Sequence, residues 1–103
     1  DSLIKSPKQL TIVQWAEVEE NINKLYNNFT LRLKEQFPSF TNNDLQVCCL
    51  IKLRITVSDI AKILNISPAS VSKRKQRIKE QIIKELGDNF DKSQLIDIWI
   101  WEY

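Results

Sequence analysis

A single glycine, Gly87, and three prolines are the only strong backbone breakers in 103 residues. A β sandwich needs many tight turns, and a low-complexity segment needs glycine and proline in quantity, so neither suits this chain. Helices do. The apolar residues recur at helical spacing, and polar capping patterns stand in front of each run.

The first helix begins near Thr11, where Thr11-Ile12-Val13-Gln14 is a capping-box pattern with Gln14 placed to reach back to the Thr11 backbone and Leu10 and Trp15 at staple positions. Ile12, Trp15, Val18, Ile22, Leu25, Phe29 and Leu33 continue the stripe towards Pro38, with Asn27-Asn28 as a bend or break. A second helix starts at Thr41-Asn42-Asn43-Asp44 and runs through Leu53. A third starts at Thr56-Val57-Ser58-Asp59, again a capping pattern, and ends at Leu64. Ser67-Pro68 opens a fourth, since proline at the first helical position gives up only an N–H without an intrahelical partner. Gly87 closes it. A last helix from Asp91 to Trp101 is the weakest reading, because Ile96-Asp97-Ile98-Trp99-Ile100-Trp101 also alternates like a strand. The expectation is an all-α domain of about five helices. Residues 1–39 form a long amphipathic helical segment, 40–87 a helix-turn-helix unit and 88–103 a C-terminal helix.

Charge is unevenly spread. Residues 1–40 are neutral, 41–87 carry nine basic against four acidic side chains, and 88–103 carry one against four. Ser72-Lys73-Arg74-Lys75-Gln76-Arg77-Ile78-Lys79 holds five positive charges and no acid. A short helix over 57–64, the turn Asn65-Ile66-Ser67 and a longer basic helix over 68–86 make a helix-turn-helix pattern, whose second helix enters the DNA major groove. At 100° per residue Val71, Ile78, Ile82 and Leu86 share the packed side, whereas Ala69, Ser70, Lys73, Arg74 and Arg77 share the opposite arc. Residues near the start of such a helix reach base edges, which makes Ser70, Lys73 and Arg74 the candidates for base contact and Arg77 a phosphate contact. Lys75 is expected near the apolar side, reaching to its rim. Thr41, Thr56 and Ser67 leave backbone N–H groups at helix starts, where a phosphate can be held. The candidate DNA-binding set is therefore Thr56, Ser67, Ala69, Ser70, Lys73, Arg74 and Arg77.

On these residues the chain resembles the LuxR-type helix-turn-helix family. The likeness lies in Phe40-Thr41-Asn42-Asn43-Asp44-Leu45-Gln46-Val47, in Ser58 to Val71, and in Ile78 with Ile82. Asp59 stands where the family has Glu, Asn65 where it has Gly and Ser70 where it has Thr. Arg54 replaces the glycine usual before the third helix, Ser72 a frequent basic residue and Arg74 a common histidine, so no base preference is carried over. Sigma-factor region 4 contains a related unit. Trp15, Leu25 to Phe29, Phe37-Pro38 and Cys48 to Leu53 are similar to the C-terminal region of Bacteroidetes regulators, in which a helical segment precedes the LuxR-like unit and sensor repeats lie upstream. The resemblance implies double-stranded DNA as partner and transcriptional regulation as role.

Other classes are disfavoured. Without histidine there is no Ser-His-Asp hydrolase, His-ligated metal or histidine acid–base pair. Asp44 and Asp59 are better explained as capping residues than as a catalytic pair, and no enzyme, cofactor, metal or small-molecule ligand is expected. Cys48 and Cys49, inside the apolar run Leu45 to Leu53, behave as small buried hydrophobes and suit a reducing compartment. No apolar run approaches the ~18–20 residues needed to cross a bilayer. The chain starts at Asp1 and lacks methionine, so a fragment of a longer, cytoplasmic regulator is expected, with a membrane segment upstream of Asp1 left open. Positions 15, 18, 22, 25 and 29 also fit a coiled-coil seam, which would make a homodimer through residues 12–33. The alternative is packing within the domain, against Trp99 and Trp101. The rival function is a helical module for a protein partner, RNA polymerase or a sensor subunit, its basic face only solvated.

Overall fold

The computed structural model describes residues 9–103, so the part of the 1–39 segment before Gln9 lies outside it. Six α-helices follow in order: α1 Ile12–Leu25, α2 Phe29–Gln36, α3 Asn42–Lys52, α4 Val57–Leu64, α5 Pro68–Leu86 and α6 Ile96–Glu102, with a 3-10 turn Gly87–Asn89 before the last. No strand occurs among the described residues, and the domain is all-α.

The long first helix of the sequence reading is corrected to two. Asn27 and Asn28 both take positive φ (52° and 59°), a conformation that asparagine tolerates better than most residues. Asn28 gives α2 no side-chain cap. The cap comes from Asn23 on α1, whose carboxamide accepts from the Thr30 amide at 2.9 Å and donates to the Thr30 hydroxyl at 2.9 Å. Arg32 then gathers the carbonyls freed at the break, those of Asn27 and Tyr26, each at 2.7 Å.

The core contains residues from every helix. Val18, Ile22, Phe29, Leu33, Phe37, Phe40, Val47, Cys48, Leu50, Ile51, Ile60, Ile63, Val71, Ile78, Ile82 and Ile100 belong to one buried cluster. The apolar stripe on α1–α2 is therefore used inside the domain, and the break at 26–28 ends any straight seam across it. Ile12 and Leu25, counted in that stripe, lie at its ends and are 88% and 66% exposed. Trp99 and Trp101 pack against the same core. Trp99 packs edge-on against Phe37 (centroids 5.8 Å) and Phe90 (6.2 Å), while the Trp101 indole N–H donates to the Ile51 carbonyl at 2.8 Å.

Helix α6 begins at Ile96 rather than near Asp91, whose carboxylate instead turns back onto the Ser93 amide (2.9 Å) and hydroxyl (2.6 Å). The alternating tail is a helix because Ile96 and Ile100, one turn apart, are the buried pair, whereas Ile98 is 37% exposed. Seven residues are too few for a helix to hold alone in water. Its last carbonyls find donors in the body of the domain: Lys52 Nζ donates to Trp101 O (2.8 Å) and Ile100 O (3.3 Å), and Arg32 to Tyr103 O (2.7 Å). Cations there also complement the negative end of the helix dipole. No helix among the described residues is long and apolar enough to cross a membrane.

Candidate nucleic-acid interface

Helix α4 is short because both its ends are signalled locally. Thr56 caps the start, its hydroxyl accepting from the Asp59 amide at 3.2 Å. Only this half of the expected capping box forms, since the Asp59 side chain makes no return bond to Thr56. At the other end Asn65 adopts φ 57°, ψ 48°. Its amide bonds to Lys62 O (3.3 Å) and that of Ile66 to Ala61 O (3.0 Å), a Schellman closure with Ile66 folded towards the core. Ser67 immediately caps α5, its hydroxyl accepting from the Ser70 amide at 3.1 Å, with Pro68 next in the helix.

This three-residue turn sets α4 against α5. Ile60, Ala61 and Ile63 are buried on one helix, Val71, Ile78 and Ile82 on the other. The sequence-derived facing of α5 is thus observed on its packed side. On its outer side Ala69, Lys73 and Arg77 are exposed and Ser70 is half-buried, whereas Arg74, three residues after buried Val71, is half-buried on the flank of the packed side and not on the opposite arc expected from the sequence. Thr56 and Ser67 are exposed as well, although their hydroxyls are engaged as caps. The Ser70 hydroxyl lies 2.9 Å from that of Ser67, so it is tied into the helix start rather than free to seek a base.

The cations of α5 divide into two groups. Lys75 lies near the packed side, as expected from the sequence, and its reach ends on a partly exposed carboxylate. Its ammonium is held by Asp97 of α6 at 3.0 Å, with the lysine side chain only 15% exposed. Arg77 donates to Asp44 Oδ2 at 3.1 Å while 55% of its side chain stays exposed. Lys73 and Arg74, nearer the helix start, form no ion pair or side-chain hydrogen bond among the described residues. In mid-helix Lys75 and Arg77 are each paired with a carboxylate, whereas Lys73 and Arg74 at the head, like Lys79 and Lys84 further along, have no ion pair among the described residues.

Asp44 is the residue whose second role the sequence did not disclose. Its buried carboxylate completes the α3 capping box, Oδ2 accepting from the Thr41 amide at 2.9 Å, and the same oxygen takes the Arg77 guanidinium. It locks the start of α3 to the middle of α5. Asp44→Ala should cost about 2–4 kcal/mol, the sum of a lost cap and a lost charge-assisted hydrogen bond. Asp44→Asn, which keeps an acceptor for Thr41, should cost about half as much. Urea unfolding with an unchanged m-value checks both.

The α3–α4 connection keeps a left-handed turn in spite of its arginine. Arg54 sits at φ 62°, and its amide bonds to Ile51 O (2.8 Å) while that of Ile55 bonds to Leu50 O (3.1 Å). That is the same closure as at Asn65. The Arg54 guanidinium lies 4.4 Å from the centre of the Trp101 ring.

No protein-family model, curated protein or solved structure matches the chain.

Proposed function

We propose that this domain binds double-stranded DNA through α5, as the DNA-binding part of a transcriptional regulator. The observation that carries the reading is the unneutralised head of α5. A capped, 19-residue helix follows a tight turn after an eight-residue helix and presents Lys73 and Arg74 without a partner among the described residues. Helix-turn-helix docking sets the N-terminal part of the second helix in the major groove while the first crosses the backbone. Lys73 and Arg74 occupy that part and match the acceptors of guanine edges and phosphates. Ala69 on the arc of Lys73 allows close approach to a base or a thymine methyl. Arg77 is placed for a phosphate with the guanidinium N–H groups not used by Asp44. The likeness of residues 40–82 to the LuxR-type unit supports the regulatory role.

Fluorescence anisotropy with a random-sequence duplex at several salt concentrations tests this. Binding should weaken linearly in log salt, by about 0.9 in slope for each phosphate neutralised. Absence of binding at low salt removes direct DNA contact and favours the protein-partner reading.

A further inference from the structure

The four arginines are used unequally. Arg32 donates to three carbonyls, those of Tyr26, Asn27 and Tyr103, and Arg77 donates to Asp44. Arg74 and Arg54 donate to nothing among the described residues. Arg74 already belongs to the α5 head. Arg54 lies elsewhere, two residues before the Thr56 cap of α4, and its side chain is positioned without a single hydrogen bond.

What positions it is an aromatic surface. The Trp101 indole is fixed by its own N–H, which donates to Ile51 O at 2.8 Å, and the Arg54 guanidinium rests 4.4 Å from the ring centre. A cation–π contact of this kind uses no hydrogen-bond acceptor, and the Arg54 N–H groups bond to no acceptor among the described residues. Arg54 is exposed, so those donors meet solvent. Glycine suits a φ of +62° without strain and arginine does not, so the backbone gives no reason for a long cation here. Local charge gives none either. Lys52 and Arg32 stand close by, and no carboxylate pairs with any of the three among the described residues. A prepositioned fork of free donors in a positive neighbourhood matches a phosphate, to which guanidinium binds bidentately.

We propose that Arg54 is a second DNA anchor, gripping the phosphate backbone beside the first helix of the pair while α5 occupies the groove. The proposal rests on the DNA-binding reading above. It adds a contact outside the basic run of α5, at the head of the helix that crosses the backbone in this docking geometry.

The test is the same anisotropy titration on the whole chain, comparing the unmodified protein, Arg54→Gly, Arg54→Lys and Lys73→Ala/Arg74→Ala. Glycine suits the left-handed position, so Arg54→Gly should fold, which circular dichroism checks. Its affinity for a random duplex should fall about threefold to tenfold, and its log–log salt slope should be shallower by about one. Arg54→Lys should keep the slope of the unmodified protein with a smaller fall in affinity. An unchanged slope in Arg54→Gly overturns the anchor, whatever happens to affinity, because a purely structural effect does not alter counterion release. If Lys73→Ala/Arg74→Ala loses binding in that same experiment, the DNA-binding reading stands without Arg54. If the unmodified protein binds no duplex at low salt, both fall.

Discussion

Lys73→Ala/Arg74→Ala should bind a random duplex about 30- to 100-fold more weakly than the unmodified chain near 0.1 M salt, with the salt slope shallower by about two. The size follows from counting contacts. Each cation that neutralises a phosphate or engages a base edge displaces counterions, and loss of two removes close to a factor of ten each. Neither side chain holds the fold together: Lys73 is exposed, Arg74 is half-buried, and neither is paired among the described residues. Their removal should therefore change stability by no more than about 0.5 kcal/mol. Arg77 is left out of the variant on purpose. Its guanidinium covers the buried carboxylate of Asp44, so Arg77→Ala mixes a binding loss with an uncompensated internal charge. Lys75→Ala is the useful contrast, since Lys75 is committed to Asp97 and should matter little for DNA. Equal binding by Lys73→Ala/Arg74→Ala and the unmodified chain would mean that the α5 head is only solvated.

The division between what local sequence reveals and what only packing decides runs through this helix. Ser67-Pro68, Thr41 with Asp44, Thr11 with Gln14, and Gly87 act within a turn of their own position. Their signals survive in the sequence, and the helix ends fall where they indicate. Which cations stay free is different. Lys75 meets a carboxylate 22 residues away and Arg77 one 33 residues away, so helical spacing places each cation on a side of α5 but does not reveal its partner.

The same holds at the two weakest elements. Asn27-Asn28 signals a bend or a break, and a break into two helices results because Asn23, Thr30 and Arg32 satisfy the backbone groups that it exposes. Alternation in Ile96 to Trp101 is ambiguous between helix and strand. Burial of Ile96 and Ile100 in the shared core and donors from Lys52 and Arg32 at the C-terminal end decide for the helix. Arg54 shows a third case. Its residue type argues against a left-handed turn, yet the turn is kept, with the Trp101 ring supplying a contact that glycine lacks.

Cys48 and Cys49 should make the domain unstable in alkali. Both thiols are buried. Burial pushes the Cys49 thiol from its ordinary 9.0 up to about 12, helped by the nearby Glu19 carboxylate. Cys48 is raised well above 9.0, by burial first and then by Cys49 and Asp44. Between pH 9 and about 12 the unfolded chain releases a proton that the folded Cys49 keeps, so stability falls as pH rises, and below 9 the effect vanishes. At 1.36 kcal/mol per pH unit, Cys49 alone costs about 3 kcal/mol by pH 11, with Cys48 acting in the same direction. Lys52 opposes this. Burial and then the like charges of Arg32 and Arg54 hold its ammonium below 10.5, so the unfolded lysine keeps a proton that the folded one has released and rising pH favours the fold in that window. One amine does not offset two buried thiols. Against a typical total of about 5–15 kcal/mol, the loss should bring on unfolding. Urea melts from about pH 8 to pH 11 on the unmodified chain and on Cys48→Ala/Cys49→Ala should cross. The variant starts lower, by about 1–2 kcal/mol for the two small cavities, and then declines far less steeply. Parallel curves would mean that the thiols ionise alike in both states and that their burial carries no alkaline cost.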